Sequence, residues 1–270
     1  VEKIIDLSVP IDINFWEPEK IDRIFINHQK GADILGKSYF YFSSSNLLKK
    51  IFHFIFHKKK IISRKDFPNE MGLSNMFYKI STHTGTHIDA PFHYGWNNMN
   101  KKPKTIEKLP LELFIGNGVL LDFRSEILID KKSVIKKLNF HNYEIASGDI
   151  VLINTGASKL LGTKEYFLKY KPIQRDVIEF LVKKGIKVIG TDAFSFDPPF
   201  VSMIDEYKKS KNKGLLWPAH FYGREFPYIQ IERLGNLEEI PLFTGFKFCC
   251  FPIKLNGADA AWTRAVAIIK

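Results

Sequence analysis

The stretch Arg175-Asp-Val-Ile-Glu-Phe-Leu-Val-Lys-Lys-Gly-Ile-Lys-Val-Ile-Gly190 decides the fold class. Val177, Ile178, Leu181 and Val182 recur at helical spacing, so residues 175–184 read as a helix with one apolar side. Gly185 stops that helix, and Ile186–Gly190 is a short apolar run of the kind that forms a buried strand. A helix that leads straight into a buried strand points to α/β layering, with helices covering a sheet.

The same signals extend outward. Gly118-Val-Leu-Leu-Asp-Phe123 and Asp149-Ile-Val-Leu-Ile-Asn154 are apolar runs bounded by Gly and Asp, and both read as buried strands. Residues 1–8, Met76–Ser81, Tyr228–Glu232 and Phe246–Phe251 add further strands. The fold expected is therefore α/β, a mixed sheet with flanking helices. The chain has 270 residues, 45% of them hydrophobic, which suffices for a substantial core. No compositional break, internal repeat or low-complexity tract divides it, so a single domain spanning residues 1–270 is expected.

Composition narrows the function classes. The formal charge is +11 with a pI near 9.4, but the lysines are scattered and form no compact basic motif. A nucleic-acid partner is not expected. No run of ~18 or more uncharged apolar residues occurs, so no membrane span is expected either. The two cysteines, Cys249 and Cys250, are adjacent in an apolar run. Vicinal bonding is strained, and this placement fits a reducing, cytoplasmic setting better than a disulfide scaffold.

The chemistry lies in His83-Thr-Gly-Thr-His-Ile-Asp-Ala-Pro-Phe-His93. Neutral imidazole and carboxylate are the usual ligands of divalent zinc and manganese. Thr, Gly and Pro disfavour a long helix here, and in extended chain residues two apart share a face. That rule sets His87 beside Asp89. Gly85 permits a bend that brings His83 to the same point. Three His and one Asp within eleven residues, in a chain with eight His, are hard to read as ordinary loop residues. His93 fits a proton relay, a hydrogen-bonding support or a third ligand, with the relay favoured because imidazole suits proton transfer near neutral pH.

The pattern His83-Thr-Gly-Thr-His87-x-Asp89-x-Pro91-x-His93 resembles the signature of the cyclase-like metal-dependent hydrolases. That family includes bacterial kynurenine formamidase, isatin hydrolase and polyketide-pathway cyclases. Asp6-Leu-Ser8, Gly148–Gly156, Gly190–Ser195 and Gly257-Ala-Asp with Arg264–Ala267 resemble other family segments, so the likeness covers nearly the whole chain. Residues 39–66 depart from it and read as a divergent lid or interface insertion.

The resemblance implies a swivelling β/β/α architecture, a homodimer or homotetramer, and one or two divalent ions per chain, zinc or manganese. His83, His87 and Asp89 would bind one ion and His220 would help bind a second. Asp89 and Glu232 would bridge them, and His93 would be the proton shuttle. It also places Phe15 and Trp16 where a substrate ring stacks, with Phe194 and Phe221 as weaker candidates for that wall, although Trp16 reads equally well as a core or interface residue. The function implied is hydrolysis of a C–N or C–O acyl bond in a small aromatic formamide, lactam, imide or lactone. A metal-dependent cyclase or dehydratase acting on a polyketide-like chain is the alternative, and a non-catalytic metal-binding protein a third reading.

Other signals carry less. His53 and His57 are four apart on the apolar, basic stretch from Asn46 to Lys60, which has helical spacing. No acid lies near them and Lys58-Lys-Lys60 would repel a cation, so the pair reads as structural. Gly116-Asn-Gly118 precedes a strand and lacks the third glycine of a dinucleotide loop. Gly72-Leu-Ser-Asn-Met76 is no nucleophile elbow.

Overall fold

The computed structural model describes residues 2–43, 47–48, 51, 55, 62–97 and 100–270. Most of the basic stretch from Asn46 to Lys60, with His53 and His57, lies outside the described residues. Leu47, Leu48, Ile51 and Ile55 there are helical and exposed.

The chain divides into two compact units, residues 20–80 and residues 1–19 with 81–270, although its composition shows no break at these points. The smaller unit pairs β2 (Asp22–Ile26) antiparallel with β3 (Asn75–Lys79), Ile24 opposite Phe77. It also holds helix α1 (His28–Ser43). Gly31 and Gly72 let α1 meet residues 72–73 backbone to backbone, since a Cβ on Gly31 would fall 1.7 Å from the Leu73 carbonyl oxygen.

The larger unit is built on a nine-stranded sheet among the described residues. Its strands are β1 (Lys3–Asp6), β4 (His87–Asp89), β5 (Ile115–Asp122), β6 (Ile150–Asn154), β7 (Val188–Thr191), β8 (Ile229–Glu232), β9 (Thr244–Cys249), β10 (Ala260–Trp262) and β11 (Val266–Ile269). They lie in the order β1-β11-β9-β5-β6-β7-β8-β4-β10. The run β5-β6-β7-β8 is parallel and every other pairing is antiparallel, so the sheet is mixed. The helices are α2 (Pro91–Tyr94), α3 (Lys131–Phe140), α4 (Arg175–Lys183), α5 (Phe200–Ser210) and α6 (Pro218–Glu225).

The expected helix over 175–184 ends at Lys183, and Gly185 follows at φ +92°, a left-handed conformation that favours glycine. Val177, Ile178 and Leu181 are its buried residues, the apolar side read from the sequence. The central strands have two buried faces. Leu120, Leu152, Val188, Ile229 and Ile231 join one core with Phe246 and Phe248. Val119, Leu121, Val151, Ile153 and Ile189 join another with Val134 and Leu138 of α3, Val177 and Leu181 of α4, and Tyr222 of α6. This alternation explains why β5 and β6 read as continuous apolar runs. The last strand expected from the sequence is shorter than its apolar run. β9 stops at Cys249, Pro252 makes only an isolated bridge to Thr263, and Phe251 is exposed.

The topology that matters for chemistry is local to β4. It lies between β8 and β10, with His87 opposite Glu232 and Trp262, and Asp89 opposite Gln230 and Ala260.

A candidate metal centre

Alternation along β4 sends Ile88 into the apolar core and turns His87 and Asp89 to the other face. His87 Nε2 lies 3.4 Å from Asp89 Oδ1, as the two-residue spacing predicts. The bend at Gly85 is present, with φ +70°, and it returns His83 so that its Nδ1 is 3.0 Å from Asp89 Oδ1. The antiparallel register brings Glu232 in from β8, its Oε2 3.6 Å from His87 Nε2.

His220 arrives from α6. That helix starts after Trp217, which sits at φ +48°, and Asp197 accepts bonds from the amides of Ala219 (2.6 Å) and His220 (3.3 Å) at its first turn. Asp197 also receives His220 Nδ1. The ring is thereby aimed so that Nε2 stands 3.8 Å from Asp89 Oδ2 and 3.8 Å from Glu232 Oε1. The structure thus brings His83, His87, Asp89, His220 and Glu232 to one point. His93, on α2, stands at its rim. Its ring centroid is 4.3 Å from that of His83 and 5.4 Å from that of His220, and the side chain is 32% exposed.

Hydrogen bonding fixes which nitrogen faces the cluster. His87 Nδ1 is 2.8 Å from the Gly85 carbonyl, which can only accept, so Nδ1 carries the proton and Nε2 presents a lone pair. The same logic applies to His220, whose Nδ1 donates to Asp197. Lone pairs on imidazole nitrogens then face carboxylate oxygens. Fully buried His87 Nε2 and both oxygens of Asp89 have no hydrogen-bond partner among the described residues. Acceptors that converge without a donor are costly unless a cation lies among them.

The electrostatics agree. Burial, with the nearby Asp89 charge, pushes Glu232 up to about 8. Burial opposes charge on His83 and His220, but the negative carboxylates beside them, Asp259 and Asp89 for His83 and Asp197 and Asp89 for His220, outweigh it and lift each ring to about 10. The cluster favours added positive charge. Among the described residues, two subsets have ligand atoms close enough to share one ion, His83 with Asp89 and His93, and His87 with Asp89 and Glu232. Mixed nitrogen and oxygen donors of this kind fit a divalent ion.

The expected aromatic pair is not shown against the cluster itself. The Phe15 ring lies over Gly162, where a Cβ would fall 2.9 Å from it. Trp16 packs on Phe167 at 5.1 Å between centroids and is 40% exposed. Phe194 also packs on Phe167, whereas Phe221 lies beneath the Arg224 guanidinium. What ties the Phe15–Trp16 loop to the centre is Arg233, which has no precedent in the sequence reading. Arg233 follows Glu232 at φ +61° and sends its side chain away to a buried ion pair with Glu17. Its Nη1 also donates to the His83 carbonyl at 3.3 Å. Replacing Arg233 with Met leaves Glu17 uncompensated, and the expected cost is ~3–5 kcal/mol. Urea unfolding of the two proteins measures this, and a loss below 1 kcal/mol would mean that the pair behaves as an exposed one.

Sequence reasoning also missed Asp197 and Asp259. Nothing marked Asp197, since its partners lie on α6. Asp259 stood in the Gly257-Ala-Asp segment without an assigned role. Its Oδ2 is 3.1 Å from His83 Nε2 and 3.5 Å from His93 Nδ1, and its Oδ1 accepts from Thr82 at 3.0 Å.

An α/β chain whose sheet gathers buried imidazoles and carboxylates around a cation-seeking point has the build of a metal-dependent hydrolase. The chain belongs to the Cyclase family, which it matches over residues 5–198. It is 30% identical to the kynurenine formamidase of Salinibacter ruber over 188 residues, 70% of this chain and 76% of that protein. The match to kynurenine formamidase of Bacillus cereus, 32% identical, spans 44% of this chain and about half (51%) of that enzyme. Its fold is that of an isatin hydrolase bound to the product analogue thioisatinate, with TM-score 0.71, 18% identity, and 99% of this chain and 92% of that chain covered.

Proposed function

We propose that the chain hydrolyses a C–N or C–O acyl bond of a small aromatic substrate, with formamides, lactams and imides first and lactones next. The observation that carries this is the convergence of His87 Nε2 and both Asp89 oxygens, buried and without hydrogen-bond partners among the described residues, beside His83, His220 and Glu232. The names of the relatives, kynurenine formamidase and isatin hydrolase, support amide-type chemistry on an aromatic framework. Residues 1–270 are taken as one catalytic domain with a divergent insertion near 39–66.

His83, His87 and Asp89 would hold one divalent ion, and His220 would help hold a second that shares Asp89 and Glu232. When bound, such an ion lowers the pKa of water from 15.7 towards ~7 and polarises a carbonyl. The chain's own residues supply the rest. Asp197 and Gly85 keep the Nε2 atoms of His220 and His87 turned inward. His93, partly exposed at the rim, moves the proton to the leaving nitrogen or oxygen, with Nδ1 towards Asp259 and Nε2 as the working atom. Trp16 and Phe15 offer aromatic faces for a flat ring.

Mixed nitrogen and oxygen donors accept either zinc or manganese. The free thiols of Cys249 and Cys250 favour a reducing cytoplasm. Exposed Ile24, Phe25 and Phe77 on the small unit favour assembly as a homodimer or homotetramer. Sedimentation of the purified chain tests the last point.

The function is tested by elemental analysis, then by assay of N-formyl aromatic amines, cyclic imides and lactones in ¹⁸O-water. A hydrolase places the label in the new acid, whereas a carbon–carbon-forming cyclase does not. Failure of all three substrate classes with metal-loaded protein would sink the reading. Metal binding has its own signature. Zinc at one hundred times its Kd raises unfolding stability by ~2.7 kcal/mol, reversed by chelator. No shift of the urea midpoint with zinc would count against the centre.

A further inference from the structure

We propose that Asp259 is a positioning residue that ties a metal-binding imidazole to the proton-shuttling one. This inference rests on the metal-centred reading above. Asp259 sits just before β10, and its backbone is fixed, because the Ala90 amide donates to its carbonyl at 2.9 Å. Ala90 itself lies between Asp89 of β4 and the start of α2, which carries His93. The Asp259 carboxylate is therefore anchored to the backbone from which both histidine-bearing segments depart.

Its two oxygens are divided. Oδ1 accepts the Thr82 hydroxyl at 3.0 Å, which stops the carboxylate from rotating. Oδ2 lies 3.1 Å from His83 Nε2 and 3.5 Å from His93 Nδ1. A carboxylate only accepts, so it selects the tautomer with the proton on His83 Nε2 and leaves Nδ1, which faces Asp89, with its lone pair. On His93 it selects the proton on Nδ1 and leaves Nε2 as the working atom. One carboxylate thus sets both rings, and the His83 and His93 planes, 44° apart, are held with centroids 4.3 Å apart. Carboxylates behind ligand imidazoles orient them and raise their basicity, and losing one typically costs 10–100-fold in metal affinity or activity.

The test uses the full chain with zinc alone as probe and ¹⁵N-labelled histidine. Asp259→Asn keeps shape and the Thr82 contact, Asp259→Ala removes the group, and Asp259→Glu restores charge. The side chain is 38% exposed, so none of these leaves a buried unpaired charge. The expected result for Asn and Ala is a zinc Kd raised by ~10–100-fold, with loss of the single Nδ1–H tautomer of His93 in imidazole ¹⁵N spectra, and partial recovery of both in Glu. With formanilide as substrate at saturating zinc, kcat falls while KM changes little. An unchanged zinc Kd, or an unchanged His93 tautomer, in Asp259→Ala overturns the proposal. The zinc and spectral readouts need no turnover. If the wild-type chain hydrolyses no amide, the functional reading fails while the role of Asp259 is still decided.

Discussion

Asp89→Ala is expected to remove metal from the centre and lower kcat/KM by ~10⁴-fold or more. The residue sits where every candidate ligand meets. His83 Nδ1 and His87 Nε2 lie 3.0 and 3.4 Å from its Oδ1, and His220 Nε2 lies 3.8 Å from its Oδ2. No neighbour can replace it, because the opposite residue on β8 is Gln230 and the one on β10 is Ala260. The strand should survive, since these pairings are backbone ladders. Zinc content by mass spectrometry and circular dichroism separate loss of metal from loss of fold. A variant that keeps stoichiometric zinc and native turnover would place the reactive centre elsewhere. Asp89→Asn keeps volume but replaces one oxygen with a donor that points at imidazole nitrogens, so it is expected to behave like Ala.

His93→Ala is expected to lower kcat by ~10²–10⁴-fold with zinc content nearly intact. His87 and His93 differ in surroundings. His87 is fully buried and pinned by the Gly85 carbonyl, whereas His93 is partly exposed, with its Nδ1 3.5 Å from Asp259. A ring in that position can approach substrate and exchange a proton with solvent. If His93 were instead a ligand with His83 and Asp89, a geometry its ligand atom permits, the same substitution would also strip metal. Loss of zinc in step with activity would reassign His93 as a ligand. Wild-type turnover in the variant would remove it from the mechanism.

The cluster is partly legible in the sequence. His87 and Asp89 were paired by the two-residue period of a strand, and the bend that returns His83 was legible from Gly85. Those are short-range rules, and the backbone obeys them at φ +70°. His220 and Glu232 entered through the family pattern alone, with nothing local to recommend them. Asp197, Asp259, Arg233 and Glu17 had no role in either reading. Their significance depends on which strands lie together, and the His83–Asp259 contact spans 176 residues.

By itself, the amino-acid order determined the α/β class, the helix beginning at Arg175, the buried central strands and the half-site between His83 and Asp89. Apolar periodicity and turn chemistry act over a few residues, so they can be read from a few residues. Only the tertiary structure decided that β4 lies between β8 and β10. That choice faces Glu232 to His87, brings Asp259 to His83 and His93 and sends Arg233 to Glu17. The physical reason is that strand neighbours are selected by burial of the whole sheet's two faces, a property no single segment carries.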